Sequence, residues 1–286
     1  MTATSRARRP ADSSEAAAGR RGREGTRPTN RAHVVSSFTL IKGAMIGETY
    51  AVFAAWDFER SKRENLERLR DENFIGAGSA NWLRDVAKVL NRRFDPAGRD
   101  RPLVMLAKRG LPLDEWRPLL LWHMTRDEFL VRDFLETWLF AAYDAGTFRV
   151  YTHDVEEYLG SIGKRGGSVE HAWSAQTTNR VAAGLLKMAV DFGLLRGSAP
   201  KEFVSFHLPE RSFLYLLHAM RDDKLSPSKV VASPEWRMFL MRPSDVEQEL
   251  LRLHQFRKLE YQVAGSLAQL SLPCASAREY AERIVA

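Results

Sequence analysis

Between Ser174 and Gly193 the side chains Val181, Leu185, Met188, Ala189 and Phe192 recur at helical spacing. Gln176, Arg180, Ala183 and Lys187 fall at i, i+4, i+7 and i+11 on another side of the same turn sequence. This pattern predicts a helix with one buried and one wet face. Ser174 is an N-cap type whose hydroxyl accepts from free first-turn amides, and Gly193 stands just past the last periodic residue. Downstream, "RGSAP" turns, "KEFVSFHL" is a short extended segment, and "PERSFLYLLHAM" returns to helical spacing.

Upstream, apolar spacing starts abruptly at "SSFTLIKGAMIGETYAVFAAWDF", where Ile41, Met45, Ile46, Tyr50, Phe53 and Trp56 begin a pattern. "RSKRENLERLRDENFIG", "SANWLRDVAKVLNRRF", "PLVMLAKRG" and "LPLDEWRPLLLWHMTRDEFLVRDFLETWLFAAYDAG" continue it, with charges on the off-faces. Five or six helices are expected over 34–148. Gly110, Gly146, Asp95-Pro96 and Leu111-Pro112 mark breaks. A second helical unit, 149–221, opens near Thr152 as a plausible N-cap. A third segment, 222–286, holds the longest periodic run, "SDVEQELLRLHQFRKLEYQVAGSLAQL", in which Val246, Leu250, Leu253 and Leu259 predict a long packing helix. The fold class expected is all-α, with a helical bundle followed by a winged-helix-like unit carrying a short β-hairpin.

Residues 1–33 lack this apolar spacing. They have no large apolar side chain beyond Met1 and cannot repay the entropy of ordering, so a disordered arm is expected. They hold eight Arg against Asp12, Glu15 and Glu24, so +5 of the net +7 lies there and the remaining chain carries only +2. Their Arg-rich, acid-poor composition superficially resembles a transit peptide, without the apolar spacing of an amphipathic helix. No run of 18 apolar residues occurs, so no membrane partner is expected. Cys274, the single cysteine, excludes an internal disulfide and makes a reducing cytoplasm the default compartment.

Chemistry-bearing motifs are sparse. The seven His, at 33, 123, 153, 171, 207, 218 and 254, match no zinc-ligand spacing, and no G-x-S-x-G elbow exists. "GSIGKRGG" places Lys164 after Gly163 as a phosphate loop would, but Arg165 stands where a magnesium-binding hydroxyl is needed. Neighbouring acids such as Asp127-Glu128 point in different directions on a helix. No catalytic residue, metal or cofactor is therefore expected. The Trp residues are core by default, with Trp173 the one placed to stack a base.

A winged helix needs a recognition helix with a polar outer face and a hairpin whose tip is basic. Gln176, Thr177, Thr178, Asn179, Arg180 and Lys187 supply polar outer-face types, Lys164 and Arg165 lie in a glycine-rich stretch read as flexible, and Arg196 and Lys201 flank the expected hairpin turn. These ten are the candidate nucleic-acid contacts. Winged helices also serve as protein-interaction scaffolds, and that alternative stays open. So does contact through the Arg-rich arm or through a bundle surface carrying Arg92, Arg93, Lys108 and Arg109.

The ordered blocks "SSFTLIKGAMIGETYAVFAAWD", "RENLERLRDENFIGAGSANWLRDVAKVLNRRF", "LLLWHMTRDEFLVRDFLETWLFAAYDAG" and "WSAQTTNRVAAGLLKMAVDFGLL" resemble the BrxA family of bacterial BREX phage-defence systems, over roughly 36 to 220. The resemblance implies a NusB-like helical bundle and a cytoplasmic, non-catalytic accessory subunit that binds nucleic acid, double-stranded DNA being the favoured ligand. It also implies a methyltransferase, an ATPase and a phosphatase-like protein as partners. The arm and the segment after 222 lie outside the resemblance. "GAGSANW" has Gly and Ala where the family carries a more polar run, so no first-turn phosphate contact is carried over to that helix.

Overall fold

The structure, a computed structural model, describes residues 33–169, 172–265 and 267–284. The Arg-rich arm expected to be disordered lies outside the described residues, apart from His33.

A short strand β1 (Val34–Val35) leads into α1 (Ser37–Lys42), α2 (Ile46–Ala54), α3 (Lys62–Glu72), α4 (Ala80–Arg93), α5 (Arg101–Lys108) and α6 (Leu113–Thr125). One further rod follows, built from α7 (Phe129–Asp133), a π-helical stretch Phe134–Leu139 and α8 (Phe140–Asp144). Among the described residues this makes seven rods before 148, one or two more than the five or six that the spacing predicts. Gly43 at φ 84° and Met45 at φ 52° split α1 from α2, a left-handed break that apolar periodicity alone does not register. The caps behave as their residue types dictate. Ser61 and Glu64 close a capping box at α3, and Ser79 Oγ accepts from the Trp82 amide at the start of α4.

The second unit reads β2 (Arg149–Val150), α9 (Thr152–Leu159), a 3₁₀ turn Ile162–Arg165, β3 (Ser168–Val169), α10 (Ala175–Asp191), β4 (Leu195–Arg196) and β5 (Lys201–Phe203). β4 and β5 pair antiparallel with Leu195 opposite Phe203, and β2 adds on the far side of β5 as a third strand. Apart from the 3₁₀ turn and β3, which lie between α9 and α10 outside this sheet, the order helix 129–144, strand, helix, helix, strand, strand is winged-helix-like. The fold is mainly helical and carries this small sheet. β2 has only two residues, too few for alternation to reveal it.

Beyond it come α11 (Glu210–Asp222), α12 (Pro227–Val231), a 3₁₀ turn Pro234–Phe239, α13 (Pro243–Gln255), the strands β6 (Glu260–Ala264) and β7 (Leu267–Ser271), and α14 (Ala277–Arg283). The long packing helix expected here ends at Gln255. Val246, Leu250, Leu253 and Leu259 are all buried, as expected, but Arg257 turns the chain at φ 58° and an antiparallel hairpin follows. Leu259 and Tyr261, two residues apart, are the buried pair beyond the turn, an extended-chain spacing hidden within an apparent helical run.

One apolar core runs unbroken across residue 148, taking in Trp116, Trp122, Leu185, Phe213 and Trp236. β1 also pairs in parallel with β3, Val34 opposite Ser168, so the start of the described chain is tied into the second unit. Two buried polar clusters brace this core. Arg93, fully buried, donates to Glu128 at 3.1 Å and to the carbonyls of Thr39, Gly43 and Ala44, capping the C-terminal end of α1. His123 bridges Asp100 and Tyr215, at 2.7 Å to each, and burial holds its imidazole below the ordinary histidine range. The neutral ring then donates from Nδ1 to the Asp100 carboxylate and accepts at Nε2 from the Tyr215 hydroxyl.

Candidate nucleic-acid interface

α10 forms as its spacing predicts. Ser174 Oγ accepts from the Thr177 amide at 3.2 Å, and Gly193 takes φ 79° just beyond the helix. Val181, Leu185, Met188, Ala189 and Phe192 are buried, while Gln176, Arg180, Ala183 and Lys187 line an exposed crest. The helix does close the core with one face and present a polar strip with the other.

The ten predicted contact residues fall into different situations. Gln176 and Arg180 are exposed and have no partner among the described residues. Thr177 and Thr178 turn back on the cap, their hydroxyls reaching Ser174 Oγ at 3.0 Å and the Ser174 carbonyl at 3.2 Å. Asn179 donates to Glu156 of α9 at 2.6 Å, and Lys187 forks onto the two Asp191 oxygens at 2.8 and 2.9 Å. At the wing, Arg196 reaches Glu202 at 3.4 Å and Lys201 donates to the Ser198 carbonyl at 2.6 Å. Lys164 is exposed in the 3₁₀ turn.

Arg165 differs from its reading as part of a flexible stretch. Its Nε donates to Asp133 at 2.7 Å, one terminal nitrogen donates to the Tyr158 carbonyl at 3.1 Å, and its guanidinium lies 3.9 Å from the Tyr158 ring centroid. The side chain faces inward because Asp133 on the preceding rod supplies the counter-charge. Burial and the bond to Asp133 push the Tyr158 hydroxyl well above the usual tyrosine range. The alternative bundle surface loses one of its four members. Arg93 is fully buried, Lys108 donates to the Trp56 carbonyl, and Arg109 to the Glu282 carbonyl.

Spacing gave no sign of what flanks α10. The carbonyl oxygen of Leu40 on α1 would stand 2.8 Å from a Cβ placed on Gly184. α1 is joined in turn to α4. Lys42 pairs with Asp85 at 2.5 Å, and its ammonium lies 5.6 and 5.8 Å from the Phe38 and Trp82 ring centroids. Lys88 sits 4.2 Å over Phe38. Trp82 is thus partly exposed under a cation instead of buried in the core, and Trp173 is partly buried against the core. A glycine in mid-helix was the one available signal, since its missing side chain permits a close crossing.

Among the described residues, no group of three or more His, Cys, Asp or Glu could hold a metal ion, and no helix is long and apolar enough to cross a membrane. No curated protein matches the chain. The BrxA family model matches residues 37–219, a span that includes the bundle, α10 and the wing. That match covers well over half of the 286 residues, and the chain belongs to the BrxA family.

Proposed function

We propose that this chain is a cytoplasmic, non-catalytic accessory subunit of a BREX-type phage-defence system that binds double-stranded DNA through α10 and the adjoining wing. Family membership supports the defence role, with a methyltransferase, an ATPase and a phosphatase-like protein as partners. The observation that carries DNA contact is the α10 crest, where Gln176 and Arg180 face solvent with no partner among the described residues, on the third helix of a winged-helix order. Arg196 at the wing adds a second point of phosphate contact, since its link to Glu202 is long and its side chain is 68% exposed.

A second reading, a protein scaffold without DNA contact, has its own support. Outside the arm the chain carries only +2, and Leu251, Phe256 and Val263 are exposed apolar positions on α13, the turn after it and β6. Binding of the full chain to a duplex oligonucleotide across a salt series separates the two. DNA contact gives an affinity that falls linearly on a log–log plot with salt, at about 0.9 per phosphate neutralised. A scaffold gives no duplex binding and co-purifies with its operon partners all the same.

A further inference from the structure

Three helices lie side by side on one surface, and their order bears on how a duplex would sit there. α10 meets α1 at the Gly184 to Leu40 crossing, and α1 meets α4 through Lys42, Asp85, Phe38 and Lys88. Arg180 and Lys187 stand on the first helix, Lys42 on the second, and Arg84 and Lys88 on the third. Arg84 and Lys88 are exposed and neither has a carboxylate partner among the described residues, while Asp85 and Asp191 are taken by Lys42 and Lys187 and Glu48 has no cation partner among the described residues. A depression of about 470 Å³, bounded by the α1–α2 turn, α4, α6 and α10, has Lys42, Arg117 and Lys187 on its walls together with Glu48 and Asp191.

We propose that α10, α1 and α4 form one continuous phosphate-contacting face, and that duplex DNA lies across this face instead of receiving α10 in its major groove. The groove is about 12 Å wide and admits one helix. α10 does not stand alone, because α1 is pressed against it backbone to backbone and α9 holds its other flank through Asn179 and Glu156. With side chains a single helix is already about 10–12 Å across, so a shouldered helix meets the groove edges before its crest reaches the bases. Spread cations suit the backbone in that geometry. The Phe38 ring holds the Lys88 ammonium at the surface, where it meets phosphate oxygens without a further ordering cost, while Lys42 stays paired with Asp85.

Two consequences follow from a backbone-only contact, namely little sequence preference and a contribution from α4. This inference rests on the DNA-binding reading above, and the test keeps the two apart. The full chain and two variants, Arg84→Gln with Lys88→Gln and Arg180→Gln with Lys187→Gln, are titrated with duplexes of unrelated sequence across a salt series, after their thermal melts are matched to the parent. The expected result is parent affinities within about threefold among duplexes, and a salt slope shallower by about two in each double variant. A parent that binds while the α4 variant keeps its affinity and slope overturns the extended face and leaves DNA binding standing. A tenfold or larger preference among duplexes also overturns it. A parent that binds no duplex overturns both.

Discussion

The Leu40 carbonyl oxygen stands 2.8 Å from where a Gly184 Cβ would be, so α1 crosses α10 at a separation only glycine permits. Gly184→Ala should therefore destabilise the chain. Alanine raises intrinsic helix stability by about 1 kcal/mol, but the obstruction is backbone and cannot swing away. A net loss of about 1–3 kcal/mol is expected in urea unfolding, the range of an overpacked core. A variant as stable as the parent would show that α1 does not hold this position.

Leu185→Ala, one residue along on the buried face, should cost on the order of 2–5 kcal/mol through lost burial and residual cavity. Denaturant midpoints of the two proteins measure it. A near-neutral result would mean that this face of α10 is not packed.

Glu128→Ala probes the buried pair. Arg93 would keep its carbonyl acceptors on α1 and the following turn but lose its counter-charge, and removing one partner of such a pair typically costs about 3–5 kcal/mol. A loss below about 1 kcal/mol would show that the carbonyls alone satisfy the guanidinium.

Glu136 gives a pH-dependent prediction. It lies in the π-helical stretch with one carboxylate oxygen buried and unbonded, and burial, reinforced by Glu235, pushes its pKa up to about 7 against the flanking Arg132 and Arg237. A carboxyl raised above its unfolded value is protonated in the fold, so its stabilising contribution is lost as pH rises from the ordinary glutamate range through about 7. Glu136→Gln should then be more stable than the parent at pH 8, by on the order of 1–3 kcal/mol, with the gap nearly closed at pH 5. Urea titrations at the two pH values check the sign. An equal gap at both would rule out titration of Glu136 as the cause.

Much of α10 was legible because its signals are local. Ser174, Gly193 and the spacing of Val181, Leu185 and Met188 each act within one helix, and all appear where expected. The hairpin Leu195 to Phe203 was legible for a similar reason, having a turn between two short extended segments. What escaped depends on distant partners. Arg165 reads as a free cation until Asp133, thirty-two positions earlier, is placed beside it. Arg93 reads as a surface charge until Glu128 and the end of α1 enclose it. The β6–β7 hairpin is a separate kind of miss, since its apolar residues happen to continue the period of α13 and only the left-handed Arg257 breaks it.

The proposed function places duplex DNA at the exposed strip of α10. The direct measurement is duplex affinity against salt for the parent and for Arg180→Gln with Lys187→Gln, both side chains being exposed and glutamine sustaining the helix about as well. An unchanged melting temperature, weaker binding and a salt slope shallower by about two are expected. A folded double variant that binds duplex DNA with the parent's affinity and slope would contradict that placement.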